Sequence, residues 1–521
     1  MARYARRVKL QRDRFLRRGD YIYGSFVKPE IVDGYINAVN PGDRSDTLGR
    51  FPFSTRNVDD AVDAASRGGR SWRRVGLMER AAAVRRFRDH LAAQQEPLAR
   101  VVSRETGKPL WEARQEVATS VRAIDLYLDD GLALIAPRLI EEIGGRTDYV
   151  PRGVVAMVCP YNVPALLGST LSAAAILGGN ALVMKPSKFT PGTGQFIAEL
   201  WDRCKLPRGV FNLVLGSASV IGQRLISNPG IDALIFHGSA EAAREIRRTL
   251  ADRPEVATLF QCGGKGQALV LDDAEIDRAV YEVLVGAFLS SGQRHNSTAR
   301  VIVTERVFET FTSQLLRRVR NVRVGYFTDP DVFMGPLISE IFRARFRKYN
   351  TNLIARGHTA LLEGDGIEVP GFRGNYVRPG IFRVNWENGH PFLGEEPPGP
   401  VLLIYRVKGI EEAVQLHNQS VFRGATAVFT RPDNPHLPEL RDALRTGVLN
   451  VNRGTIGSSL RLPAVGMGRS SNGIPAGVEA MRFLTAPRAS LTEPRPFDPA
   501  ALVPGIGWEQ QQPHGDDTDP G

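Results

Sequence analysis

Residues 154–188 read VVAMVCPYNVPALLGSTLSAAAILGGNALVMKPSK. Val154–Val158 is an apolar run with the length of a buried strand, and a second such run occupies 181–184. A stretch of small apolar residues with helical character lies between them and ends at Gly178 and Gly179. The order strand, helix, strand predicts a βαβ unit with two parallel strands.

The same alternation continues after this stretch. Short apolar runs at 210–215 and 233–236 are separated by helix-like segments, and a second alternation runs from Gln267 to about Asn450. The sequence therefore predicts an α/β fold with two Rossmann-like parallel-sheet domains. Ligands of such domains bind beyond the carboxyl ends of the strands.

A helical region precedes the first strand run. Apolar residues recur at helical spacing from Met78 to about Thr106, and Pro97 is predicted to divide this region into two helices. Another helix is predicted after Pro109.

Composition narrows the class of protein. The chain of 521 residues is 42% hydrophobic and 24% charged, which is typical of a multidomain globular protein. No apolar run approaches the roughly 18 residues of a membrane span, and the N-terminus lacks the apolar centre of a secretory signal. The spacing of Cys159, Cys204 and Cys262 suggests neither disulfides nor a metal site. We expect a cytoplasmic protein with reduced thiols and no integral membrane segment.

Charge is concentrated at the two ends. Residues 1–20 carry eight Arg or Lys and two Asp, and residues 497–521 carry five acids and no Arg or Lys, while the whole chain has net charge +11. Only nine of the 67 basic residues are lysine, and no nucleic-acid-binding motif accompanies the charge, so we expect no nucleic-acid partner. The basic segment is predicted to be a solvated extension, with membrane-surface docking or an organellar presequence as alternatives. The acidic tail is predicted to be disordered.

Further motifs continue the pattern of the opening stretch. They are RETGKP (104–109), CPYNVP (159–164), MKPSK (184–188), FHGS (236–239), QCGGK (261–265), SSGQRHNS (290–297) and EEPPGP (395–400). Their order resembles the aldehyde dehydrogenase superfamily over about 20–494. Within it, GQR at 292–294, PYN at 160–162 and NVNR at 450–453 look most like succinylglutamate semialdehyde dehydrogenases.

The resemblance implies a domain organisation. It comprises a basic extension (1–20), a dinucleotide-binding domain (21–135 and 153–260), a β-hairpin oligomerisation arm (136–152 and 484–496), a catalytic-type domain (261–455), a return segment (456–483) and the tail (497–521). A homo-oligomer is expected from the arm.

The resemblance also implies a catalytic site with two substitutions. Asn162 matches the oxyanion-hole amide, although an Asn between prolines also suits a helix cap. His295 stands where the family has its nucleophilic cysteine, and Gln261 where it has the glutamate that activates water. The family chemistry needs a thiol nucleophile, which His295 does not provide, and a base for water, and the Gln261 amide accepts no proton at neutral pH. Both substitutions therefore argue against turnover.

The cofactor, by the same resemblance, is NAD or NADP. Lys185 matches a lysine near the adenine ribose, and Ser187 belongs to the same motif. Lys188 stands where an acidic residue binds the ribose hydroxyl; this predicts NADP, a decayed pocket or a solvated surface charge. The remaining candidates are Gly238 and Ser239, which precede a helix at Ala240, and Glu396 near the nicotinamide ribose.

Other positions also depart from the family pattern. His237 replaces a threonine, Ala243 a glycine and Pro398 an aromatic residue. A displaced thiol at Cys262, or His295 acting as a base on an aldehyde hydrate, would rescue activity. Two functions remain open: a catalytically impaired relative kept as a ligand-binding or oligomeric partner protein, and an active NAD(P)-dependent (semi)aldehyde dehydrogenase with an atypical site.

Overall fold

The computed structural model describes residues 18–386 and 394–506. The predicted basic extension therefore lies outside the described residues except for its last three positions. Residues 507–521 of the predicted tail lie outside them as well.

The strands of the described residues are spread along the chain, and they largely alternate with helices from β7 onward. In the first half they are β1 (Asp20–Ile22), β2 (Ser25–Val27), β3 (Gly34–Val39), β4 (Thr47–Phe53), β5 (Arg138–Ile140), β6 (Gly145–Pro151), β7 (Val154–Val158), β8 (Ala181–Lys185), β9 (Phe211–Leu213), β10 (Ala233–Gly238) and β11 (Ala257–Cys262). In the second half they are β12 (Gly266–Val270), β13 (Thr298–Thr304), β14 (Thr359–Glu363), β15 (Gly380–Arg383), β16 (Val401–Val407), β17 (Phe422–Arg423), β18 (Ala425–Phe429), β19 (Val448–Val451), β20 (Met467–Gly468) and β21 (Thr485–Leu491).

The helices of the described residues fall into two groups, eight before β12 and six after it. Before the second large sheet they are α1 (Thr55–Trp72), α2 (Leu77–Ala93), α3 (Gln95–Thr106), α4 (Leu110–Leu126), α5 (Pro164–Leu177), α6 (Pro191–Asp202), α7 (Gln223–Ser227) and α8 (Ala240–Thr249). After it begins they are α9 (Ile276–Phe288), α10 (Glu305–Val319), α11 (Glu340–Ala355), α12 (Ile410–Gln419), α13 (Leu437–Ala443) and α14 (Ala480–Phe483).

Two large, mainly parallel sheets organise the molecule, as the sequence predicts, and each has seven strands. The first has the order β11-β10-β7-β8-β9-β1-β2, and its strands from β11 to β9 are parallel. The second has the order β14-β15-β16-β13-β12-β18-β19 and is parallel except for β14. Both sheets place loops at the carboxyl ends of their strands, where α/β proteins bind ligands.

Alternation along the strands explains the core of the second sheet. Leu269 and Ile302 pack on one face, and Ala268 and Val301 pack on the other. Helices cover both faces, which accounts for the nearly continuous apolar character of these strands. No helix within residues 18–386 and 394–506 is long and apolar enough to cross a membrane.

The predicted helical region is divided, but not at Pro97. The break falls at Gln94, between α2 and α3, and Pro97 lies in the first turn of α3. Proline is tolerated there because the first backbone N–H groups of a helix have no intrahelical acceptor. The strand predicted at 210–215 is also shorter, since β9 ends at Leu213.

A small three-stranded sheet joins two distant parts of the chain. The hairpin of β5 and β6 pairs with β21 in antiparallel register, from Thr485 opposite Pro151 to Leu491 opposite Gly145. These are the two segments for which the sequence predicts an oligomerisation arm.

Candidate active site

A cavity of about 960 Å³ lies beyond the carboxyl ends of β7, β8, β10 and β11. Candidate residues from both halves of the chain line it, which brings together segments more than 100 positions apart. They are Asn162, Lys185, Ser187, Lys188, Gly238, Ser239, Gln261, His295 and Glu396. All nine residues predicted from the sequence therefore meet at one cavity.

A second cavity of about 370 Å³, here called the tunnel, adjoins the first. Its walls come mainly from α4, α5 and the segment 456–478. The side chains of His237, Gln261 and His295 lie on the boundary, because they line both cavities. The two positions to which the resemblance assigns the nucleophile and the base therefore stand between the large cavity and the tunnel.

His295 follows a turn with an unusual backbone. Ser290, Ser291 and Gly292 are all left-handed, with φ of 54°, 55° and 63°. Residues other than glycine adopt this left-handed backbone conformation at a cost of roughly 1–2 kcal/mol each. Glu112 compensates: its carboxylate accepts hydrogen bonds from the Ser290 hydroxyl and, at 3.0 Å, from the Arg294 guanidinium.

The His295 ring is exposed to the cavities although it lies deep in the molecule. Burial among protein atoms, helped by the nearby Arg294 guanidinium, lowers the pKa of His295 to about 4. Burial and the neighbouring His295 lower the pKa of His237 to about 3. Both imidazoles are therefore neutral at pH 7, and His295 is a weak base there.

Gln261 is held by the main chain of the return segment. Its amide nitrogen donates to the carbonyl oxygens of Ala464, at 3.2 Å, and Ile474, at 3.3 Å. The amide nitrogen of glutamine can donate one hydrogen bond to each of the two carbonyls. A glutamate carboxylate at this position would have no hydrogen to donate to either carbonyl oxygen. The surroundings of position 261 thus fit glutamine better than glutamate.

Asn162 is fixed beside the His295 loop and does not cap α5. Its amide nitrogen donates to the Gln293 carbonyl at 3.0 Å, and α5 has no side-chain cap. Lys108 donates to the Asn162 carbonyl at 2.7 Å and to Glu116 at 2.5 Å. An amide has two N–H groups, so one remains to donate to a ligand oxygen near His295.

Cys262 lines the tunnel, but its thiol is not activated as a nucleophile. The residue is buried, and burial, followed by the negative charge of Glu396, raises the pKa of its thiol to about 12. A thiol with this pKa stays protonated at neutral pH and is a poor nucleophile.

Lys185 and Lys188 lie at one end of the large cavity. The Lys185 ammonium is buried, donates to the Pro186 carbonyl at 3.0 Å, and has a pKa lowered to about 8 by burial. Lys188 is exposed and lies over the Phe189 ring, 5.2 Å from its centroid. The Ser187 hydroxyl accepts from the Phe189 N–H at 3.3 Å and so shapes the turn between them.

Ser239 begins α8 at the rim of the cavity. Its hydroxyl accepts from the Ala242 N–H at 3.2 Å and caps the helix, which begins at Ala240 as predicted. Gly238 ends β10 just before it. The N-terminus of α8 attracts anions, although Glu241 already places one negative charge in the first turn.

Glu396 lies over the two glycines that follow β11. A Cβ atom at Gly263 would come within 2.3 Å of its carboxylate, so a side chain there would displace it. Burial raises the pKa of Glu396, and the positive charge of Lys265 partly offsets that rise. Lys265 is itself tied to the Gly399 carbonyl at 2.7 Å.

Sequence patterns missed several residues of the site. Arg345 and Lys348 line the large cavity from α11, yet they read as ordinary surface charges; their spacing of three on one helical face was the available signal. Glu112 has no signal in the sequence, because its role depends on the fold bringing it against Ser290 and Arg294.

Comparison with known proteins identifies the family of this chain. A model of the aldehyde dehydrogenase family matches residues 26–489. The chain belongs to this family. It is 34% identical to the N-succinylglutamate 5-semialdehyde dehydrogenase of Chromobacterium violaceum, over 90% of this chain and 95% of that protein. It is 31% identical to the alpha-ketoglutaric semialdehyde dehydrogenase of Bacillus subtilis, over 91% and 98%.

Solved structures of other family members have the same fold. An NAD-dependent aldehyde dehydrogenase from Sinorhizobium meliloti superposes with a TM-score of 0.87 at 28% identity, over 94% of this chain and 98% of that one. A betaine aldehyde dehydrogenase from Staphylococcus aureus, in complex with NAD⁺, gives 0.87 at 26% identity, over 94% and 100%. The aldehyde dehydrogenase fold predicted from the sequence is confirmed.

Proposed function

We propose that this aldehyde dehydrogenase family member binds a nicotinamide dinucleotide but does not oxidise (semi)aldehydes by the thiol-dependent route. It is kept as a ligand-binding or oligomeric partner protein. One observation carries the proposal: His295 and Gln261 occupy the boundary between the large cavity and the tunnel, where the family chemistry needs a thiolate and a carboxylate.

The chemistry of the two positions supports the loss of turnover. A neutral imidazole forms no stable equivalent of the thiol adduct, and Gln261 accepts no proton from water. Loss of a nucleophile alone typically costs about 10⁶ in kcat. The carbonyls of Ala464 and Ile474 hold Gln261 as an amide.

The large cavity retains groups that suit a dinucleotide. The lining of the large cavity includes the basic residues Lys185, Lys188, Lys265, Arg345 and Lys348, which suit a dinucleotide's phosphates, and the N-terminus of α8 adds a partial positive charge. Glu396 would hold a ribose hydroxyl. When bound, the oxidised dinucleotide supplies a hydride acceptor.

Lys188 favours NADP over NAD, because an exposed ammonium on the cavity wall would pair with the 2′-phosphate. Lys188→Glu should weaken NADP binding by at least about tenfold, since it replaces attraction by repulsion, and leave NAD binding within about threefold. Isothermal titration calorimetry measures both. Lys408→Glu, an equal charge change at an exposed lysine outside the cavity lining, is the matched control. Equal losses for both nucleotides would contradict this assignment.

A second candidate function rests on the neutral His295 ring exposed to the cavities. In an atypical NAD(P)-dependent (semi)aldehyde dehydrogenase, this imidazole would take a proton from an aldehyde hydrate. The low pKa weighs against it, since general bases work best with a pKa near the working pH.

A homo-oligomer and a cytoplasmic location complete the proposal. The small sheet and the turn between β5 and β6 carry the exposed side chains Leu139, Ile143 and Leu491, which suits contact with a second copy. All three cysteines are free and buried, as suits a reducing compartment.

A further inference from the structure

Apolar side chains form much of the tunnel wall. Its lining includes Leu126, Val163, Leu166, Leu171, Val465 and Val478. A volume of about 370 Å³ lies at the small end of the range for small-molecule sites.

The Arg294 and Tyr127 side chains that line the tunnel already have hydrogen-bond partners in the protein. Among the described residues that line it, Arg294 is the only Lys or Arg, and none is Asp or Glu. The Arg294 guanidinium donates to Glu112 at 3.0 Å and to the Ser290 hydroxyl at 2.9 Å. The Tyr127 hydroxyl likewise donates a hydrogen bond to the Gly477 carbonyl at 3.0 Å.

A carboxylate placed beside buried lining residues such as Val163 and Leu171 would lose water and gain no cation that is not already paired. Burying an unpaired charge is unfavourable, whereas burying an apolar chain of the same length is favourable. Polar groups at or near the boundary are the Gln261 amide, the neutral rings of His237 and His295, and the Asn162 amide, which lines the large cavity. They suit an uncharged head group.

We propose that the tunnel takes an uncharged, mainly apolar small molecule with one polar head directed toward Asn162 and His295, and that it rejects ligands with a carboxylate at the far end. This inference rests on the proposed ligand-binding function. It names the class of ligand that the site takes.

A matched pair of amides tests the ligand class without turnover. Octanamide and suberic acid monoamide have the same chain length and head group and differ only in a terminal methyl or carboxylate. Octanamide should bind the full-length protein at least about tenfold more tightly in calorimetry, because only the carboxylate is left unpaired. Equal affinity, a preference for the acid, or no binding of either amide would overturn the inference.

Three variants locate the binding. Leu166 lines the tunnel and is half-buried, so Leu166→Trp should abolish octanamide binding. Ser458 lines the tunnel and is exposed, so Ser458→Arg should bind the acid at least about threefold more tightly. Ser459→Arg adds the same charge at an exposed neighbour outside the lining and should change neither affinity.

NADP titration on the same preparations separates the two proposals. Retained NADP binding in Leu166→Trp shows that the variant is folded, so octanamide binding that persists in it would overturn the tunnel assignment. Absence of NADP and NAD binding in the unmodified protein would instead contradict the proposed function, whatever the amides do.

Discussion

His295→Cys combined with Gln261→Glu should raise NAD(P)H formation from an aldehyde by at least about 10²-fold over the unmodified protein. The introduced thiol would lie at the boundary of the two cavities, near the Asn162 amide and the positive charge of Arg294. A nearby cation favours the thiolate. The introduced carboxylate would turn away from the carbonyls of Ala464 and Ile474 and toward water in the cavity.

The single variants separate the two steps. His295→Cys alone should give one burst of reduced dinucleotide and then stop, because no base activates water to release the acyl group. Gln261→Glu alone should give no product. In the double variant, Asn162→Ala should cost about 10²–10³ in kcat, as expected for an oxyanion-hole donor.

Stopped-flow absorbance of the reduced nicotinamide measures both the burst and the steady rate. Octanal and succinic semialdehyde serve as substrates, so that an apolar and an anionic aldehyde are both tried. A double variant that binds dinucleotide but gives neither burst nor turnover with either would contradict the view that the rest of the site is intact.

Glu112→Ala should lower the free energy of unfolding by about 3–5 kcal/mol. The Glu112 carboxylate is buried and joins Arg294 and Ser290 to α4, with the Lys108 ammonium 3.9 Å away. Its removal leaves the Arg294 charge without a carboxylate. It also releases Ser290 from the contact that holds the left-handed turn. Urea unfolding followed by circular dichroism gives the change.

The control is a glutamate with similar partners at the surface. Glu96 pairs with Arg114 at 2.7 Å and Arg100 at 2.9 Å but is 43% exposed, so Glu96→Ala should cost less than about 1 kcal/mol. Equal losses for the two variants would show that the buried network contributes no more than surface pairs.

Low pH should weaken the same network. Burial raises the pKa of Glu112, but Lys108 and Arg294 outweigh it, so the folded pKa lies below the usual value of 4.5. Its contribution is therefore fully present above that value and is lost as the pH falls through the folded pKa. The stability difference between the unmodified protein and Glu112→Gln should be constant from pH 8 to pH 6 and shrink in acid.

Local patterns predicted most of the fold. The βαβ unit from Val154–Val158 to Ala181–Lys185 forms as expected, because both strands are buried on two faces and are continuously apolar. The sequence pattern places the helix break at Pro97 and not at Gln94, because proline at a helix start and proline at a break look alike in sequence.

Sequence motifs predicted some residues of the site but not the contacts that hold them. Resemblance identified His295 and Gln261, but not that two main-chain carbonyls of 464 and 474 hold the glutamine. Those carbonyls belong to the return segment, about 200 positions away. Because every residue has a backbone carbonyl, the sequence does not show which carbonyls contact Gln261. The pairing that removes Arg294 from the tunnel is equally non-local, since Glu112 lies 182 positions from it.

The most direct test measures dinucleotide binding and turnover on one preparation of the unmodified protein. NADP or NAD should bind with a dissociation constant that calorimetry detects, while octanal and succinic semialdehyde yield no reduced dinucleotide above the buffer rate. Steady turnover that His295→Ala abolishes would contradict the account and establish His295 as a catalytic base.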